Sequence, residues 1–249
     1  MFQNSSHKVN NGSQSDDQLN NTRLGDIPLW KRIYLFCICS IGLNVIAVFV
    51  YLMLYNLPEN QVSALANIIC YSILFVAMFG VVLFDIPKFT YQFKDYKRYL
   101  YGFLFGLAVI GFDVSYTSFV NLFYDFHISG NEEAVRGVIY LYPAASVIIL
   151  GIIGPICEEM AYRIGLFGLV RKWNIVAAFL ISSFVFAGAH ISFGSYFVDE
   201  LVNFPMYLFS GFMFALTYYK FGFVGSMTAH ITNNLIAVCS TIGGMIVLR

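Results

Sequence analysis

Cys157-Glu158-Glu159-Met160-Ala161-Tyr162-Arg163 places two adjacent carboxylates and a guanidinium inside residues 138–170, a stretch otherwise as apolar as lipid. An ionisable side chain at the centre of a bilayer costs about 2.5–3.5 kcal/mol on insertion scales, so such groups face a partner or a wet cavity. On a helix Glu159 and Arg163 are four residues apart and share a face, which suits an ion pair. Glu158 points about 100° away and is left free. The stretch therefore predicts an all-α, polytopic membrane helix bundle closed around a central intramembrane polar site.

The rest of the chain agrees. Of 249 residues, 59% are hydrophobic and 11% charged, with a mean hydropathy of +0.71. Soluble domains are nearer 45–50% apolar and about 25% charged. A span needs roughly 20 apolar residues, and about seven are expected: 33–55, 61–84, 99–123, 138–170, 174–193, 201–219 and 222–247. The fourth is overlong, which predicts a tilt, an emerging end or a kink near Gly154-Pro155. Zero net charge argues against nucleic acid as a partner. Cys37, Cys39, Cys70, Cys157 and Cys239 fall in apolar stretches without metal-ligand spacing and read as small hydrophobes.

Three regions follow: a disordered cytoplasmic tail over 1–28, rich in Asn, Ser, Gln and Asp; spans 1–3 over 29–137; and a catalytic core, spans 4–7, over 138–249. Lys and Arg mark alternate loops. Arg23, Lys31 and Arg32 precede span 1, Lys88 to Arg98 fill the second loop, and Arg171, Lys172 and Lys220 mark later ones. That alternation puts the N-terminus in the cytoplasm of a plasma membrane.

Two further segments carry polar groups into apolar spans: Phe186-Ala187-Gly188-Ala189-His190 and His230-Ile231-Thr232-Asn233-Asn234. Phe186, one turn before His190, would wall a site. His230 and Asn234 stack on one helical face and suit two hydrogen bonds to one oxyanion. Glu158 suits the general base. Glu132-Glu133-Ala134-Val135-Arg136 imitates the double-glutamate pattern but is expected to be a solvated charge cluster in a polar loop. Asp113, in span 3, has no obvious partner and no assigned role. No His-Glu-x-x-His zinc motif occurs.

These three motifs resemble those of the CAAX protease and bacteriocin-processing (Abi) family, over about 140–247. The resemblance implies that Glu158 and His190 activate water, that His230 and Asn234 stabilise the oxyanion, and that Glu159 and Arg163 hold the helix. Metal-dependent chemistry stays open: Glu158, His190 and His230 are a plausible zinc set, although amides such as Asn234 are poor zinc ligands. Ile164 departs from the glycine that often follows the arginine in relatives, a change expected to affect packing.

The reading is an intramembrane endopeptidase of a bacterial plasma membrane. Its partners would be the bilayer and a membrane-associated or hydrophobic peptide or protein. A non-catalytic immunity or regulatory protein of the same fold, binding a peptide or membrane partner, is the alternative from another class.

Overall fold

A computed structural model describes residues 27–88, 90–125, 127–192 and 197–247, so the expected tail lies outside the described residues apart from Ile27 and Pro28. Only helices occur among them. In chain order they are α1 (Leu29–Met53), α2 (Glu59–Val82), α3 (Thr90–Phe93), α4 (Tyr96–Val120), α5 (Gly130–Leu141), α6 (Pro143–Val170), α7 (Ile175–Gly188) and α8 (Phe197–Val247). Five of these, α1, α2, α4, α6 and α8, are long and apolar enough to cross a membrane.

The sixth and seventh expected spans are the two arms of α8. Gly222 divides it with φ 75° and ψ −168°, a conformation open essentially to glycine alone. Phe214 and His230 lie eight residues before and eight after Gly222, yet their rings stack at 4.3 Å. The arms therefore run antiparallel as a helical hairpin. Gln92 of α3 and Arg98 of α4 secure the turn: Val224 N donates to Gln92 Oε1 at 3.4 Å, and Arg98 Nη1 donates to the Phe221 carbonyl at 2.5 Å. With α7, an apolar helix too short to cross by its length alone, the apolar segments among the described residues number seven.

Small residues set the spacing. Gly102 and Gly106 of α4 face the second arm of α8, where an added Cβ would meet the Gly225 and Ala229 carbonyl oxygens and the Thr228 and Thr232 side chains. This Gly-x-x-x-Gly stripe is how apolar helices approach closely without a hydrophobic drive between them. Large apolar side chains point outward instead, among them Val76, Phe49 and Phe84, as a lipid solvent allows.

Two departures from the sequence reading have local causes. The fourth span begins at Pro143, not at 138, because Tyr142 (φ −137°, ψ 64°) breaks the chain between α5 and α6. The helix α5 thus runs through the expected boundary at 137–138. The Glu132–Arg136 cluster lies within the first two turns of this helix rather than in a loop. Ser129 caps it by accepting from Glu132 N, and Arg136 pairs with Glu132 at 2.9 Å on a partly exposed face.

Helix α6 is not a plain α-helix either. Two wider π-helical stretches, Ile149–Ile153 and Met160–Phe167, flank the glutamates. Such π segments concentrate at functional sites. Ile164, in the second, is buried, and its carbonyl accepts from Arg32 Nη1 of α1 at 2.8 Å.

Basic side chains gather at one end of the bundle. Lys31 bonds Asp85 at 2.6 Å, Arg98 reaches the α8 turn, and Arg171 lies 5.6 Å from the Tyr219 ring centroid. Acidic groups hold the other end, where Tyr124 donates to Asp199 at 2.8 Å and Gly130 N to Glu200 at 2.7 Å.

Candidate active site

α6 presents its two glutamates to different partners. Glu159 and Arg163 are both fully buried and paired, with Arg163 Nε 3.1 Å from Glu159 Oε2. Arg163 also lies against the Phe186 ring, 5.1 Å from its centroid, a cation–π contact that suits a desolvated guanidinium. Burying an ion pair is costly unless its remaining lone pairs are used. Here Glu159 Oε1 takes a second bond, from His230 Nδ1 at 3.1 Å.

Glu158 sits on the other face. It is 8% exposed. Tyr71 of α2 donates to its Oε1 at 2.9 Å. Its Oε2 is buried and has no hydrogen-bond partner among the described residues. That oxygen faces His190 Nε2 at 3.8 Å and His230 Nε2 at 3.7 Å.

Both imidazoles are oriented by their other nitrogen. His190 Nδ1 lies 2.8 Å from the Phe186 carbonyl, and a carbonyl can only accept, so Nδ1 carries the proton. The same logic assigns the His230 Nδ1 proton to the bond with the Glu159 carboxylate. Each Nε2 is thereby turned towards Glu158. Rings lock the pair: Phe186 is 4.7 Å from His190 and 5.7 Å from His230, and Tyr207 stacks on His190 at 4.8 Å.

His190 is not within a span, as the sequence suggested. α7 stops at Gly188, and His190 follows in the turn, its ring bonding back to the carbonyl of Phe186. A helix of 14 residues is only about 21 Å long, so α7 ends part-way through a ~30 Å hydrocarbon core and delivers His190 there.

Asn234 comes into the same site by another route. Its Nδ2 donates to the Leu150 carbonyl at 3.1 Å, and it borders a cavity of about 410 Å³ together with Tyr71, Asp113, Glu158 and Asn233. A second cavity, about 490 Å³, runs past Cys39, Ser40, Tyr162 and His190. Tyr71 and Glu158 border both cavities. The structure thus brings Glu158, His190 and His230 to one point, with Glu159, Arg163 and Phe186 behind them and Asn234 on the adjoining wall.

Sequence reasoning missed Tyr71 and Tyr207. The only sign of the first was Tyr71-Ser72, a small polar break inside an apolar span. The second had none.

The donor chemistry of Glu158, His190 and His230 suits zinc, with each histidine tied at Nδ1 as zinc-bound histidines are. The geometry does not close around an ion: among the described residues no group of three or more His, Cys, Asp or Glu side chains is placed to hold one.

Comparison with known proteins finds a likeness over the part of the chain that holds this site. Residues 140–236 match the family model described as type II CAAX prenyl endopeptidase, Rce1-like. A Mycoplasma capricolum subsp. capricolum protein, named only as uncharacterized, is 28% identical over 181 residues, 66% of this chain and 51% of that protein. A Bacillus subtilis (strain 168) protein named "Putative membrane peptidase YdiL" is 36% identical over 91 residues, 36% of this chain and 34% of that one. The chain therefore spans about half or less of the length of the curated relatives it matches. No solved structure matches it. The likeness to the CAAX protease family stands over the part of the chain that holds all three motifs.

Proposed function

We propose, from a chain whose residues 140–236 match a CAAX-endopeptidase family model, that it is an intramembrane endopeptidase cleaving membrane-associated or hydrophobic peptides. The observation that carries the reading is Glu158 Oε2: a buried carboxylate oxygen without a hydrogen-bond partner among the described residues, facing two imidazole nitrogens and bordering two cavities.

The reaction then runs on this chain's own groups. A water beside Glu158 Oε2 and His190 Nε2 gives up its proton to the carboxylate, and its oxygen attacks the peptide carbonyl carbon. The carbonyl oxygen becomes an oxyanion. Asn234 Nδ2 has a second N–H to offer it, beside the one bonded to Leu150. His230 donates from Nε2 only as an imidazolium, and Glu159 is placed at Nδ1 to pair with that cation. When the C–N bond breaks, the proton held by Glu158 passes to the leaving amine. Tyr71 holds Oε1, so that Oε2 is the oxygen that works. Bound zinc would polarise the same water as a Lewis acid; none of these steps requires it.

We read the basic end of the bundle as its cytoplasmic side, by the positive-inside rule, with the N-terminus on that side of a bacterial plasma membrane. The test is direct: the purified protein is incubated with a library of hydrophobic peptides beside its Glu158→Gln variant. Cleavage by the wild type alone supports the reading. Cleavage by neither, or equally by both, overturns it.

A further inference from the structure

Asp113 is the intramembrane charge that the proposed reaction leaves unused. It lies well inside α4, where an ionisable group is expensive and marks function. Its Oδ1 is buried and has no hydrogen-bond partner among the described residues. Leaving such an oxygen unsatisfied costs more than any ordinary hydrogen bond returns.

The carboxylate lines the 410 Å³ cavity that Glu158 also borders. Every charged residue bordering that cavity is acidic: Asp113, Glu132 and Glu158. Two of the three have partners, since Glu132 pairs with Arg136 at 2.9 Å and Glu158 Oε1 accepts from Tyr71 at 2.9 Å. Asp113 stands apart. Ile110, Val135 and Ile139 give the same cavity apolar wall, and such a wall suits a long alkyl stem. An anionic ligand would meet three carboxylates, and a purely apolar one would leave Asp113 unsatisfied. A cation on an aliphatic stem answers both conditions.

We propose that this cavity is a subsite for a lysine or arginine side chain of the peptide substrate, and that Asp113 is the residue that selects it. The inference rests on the proteolytic reading of Glu158, and its test is built to separate the two.

The probes are hydrophobic peptides carrying one lysine, or norleucine in its place, scanned through each position. Cleavage is compared for the wild type and Asp113→Asn. The wild type is expected to favour lysine over norleucine at one position by at least about tenfold in kcat/KM, and Asp113→Asn to bring that ratio towards one. In parallel, the Kd ratio of the same peptides is measured on Glu158→Gln, with and without Asp113→Asn, so that recognition is read without cleavage. If the wild type cleaves nothing but the Kd ratio still depends on Asp113, the subsite stands and the protease reading falls. A lysine preference that is absent in the wild type, or that survives Asp113→Asn, overturns the subsite. Should Asp113→Asn fail to fold, Asp113→Ser takes its place in both arms.

Discussion

His230 Nδ1 lies 3.1 Å from Glu159 Oε1, so the second glutamate is joined to the imidazole that faces Glu158 as well as to Arg163. The pair of contacts makes Glu159 a bridge. One oxygen neutralises the buried guanidinium, and the other fixes the tautomer and plane of the imidazole that faces Glu158. Scaffold and chemistry therefore meet in a single side chain, which spacing alone assigned to the scaffold.

Tyr71 should act through Glu158. Removing its hydroxyl leaves the ring in place but frees Oε1, so the carboxylate loses the bond that selects its working oxygen. Tyr71→Phe should lower kcat by about tenfold, with KM and melting temperature nearly unchanged. Steady-state kinetics beside thermal unfolding in detergent checks this; a change confined to KM would place Tyr71 in substrate binding instead.

The α8 hairpin should depend on Gly222. At φ 75° a side chain is strained by about 1–3 kcal/mol, and a Cβ there would also crowd Gln92 and Arg98. Gly222→Ala should lower the melting temperature and the folded yield. Activity per folded molecule should fall too, because the turn sets the depth at which the second arm offers His230. A variant as stable and active as the wild type would show that the hairpin tolerates another turn geometry.

Chelation should leave the reaction largely intact, since Glu158 and His190 activate water in the proposed steps without a metal. Activity is measured after dialysis against EDTA and again after adding stoichiometric Zn²⁺. Complete loss with EDTA and recovery with zinc would make Glu158, His190 and His230 ligands.

Much of the architecture was legible because lipid imposes it. Segment length marked the apolar segments, although the fifth, α7, is shorter than a span, and charge alternation agreed with the gathering of Lys31, Arg98 and Arg171 at one end of the bundle. The i, i+4 spacing exposed the Glu159–Arg163 pair for the same reason. What failed were features that depend on neighbours from elsewhere in the chain. The Ser129-x-x-Glu132 capping pattern was present, but its polarity disguised helix α5 as loop. The reversal itself was expected between spans 6 and 7, where Lys220 lies, but not that Gly222 would make it in a single residue, because that conformation is held by Gln92 and Arg98 from α3 and α4. His190 looked intrahelical because Phe186 sits four residues earlier, a spacing that also fits a ring folding back on a helix end. Tyr71 is one of 17 tyrosines, and only the tertiary fold brings it to Glu158.

The central claim is that the adjacent glutamates do different work, Glu158 as the base and Glu159 as the buried bridge. Cleavage rate and melting temperature are measured together for Glu158→Gln, Glu159→Gln and Arg163→Ala. Glu158→Gln should fold normally and lose at least about 10²-fold in rate. The other two should be destabilised, since opening a fully buried ion pair costs roughly 3–5 kcal/mol. Activity of Arg163→Ala should follow its folded fraction, and Glu159→Gln should lose a further part per folded molecule, because His230 loses the carboxylate that holds it. A stable but inactive Glu159→Gln beside a Glu158→Gln that still cleaves would contradict the account and reverse the two roles.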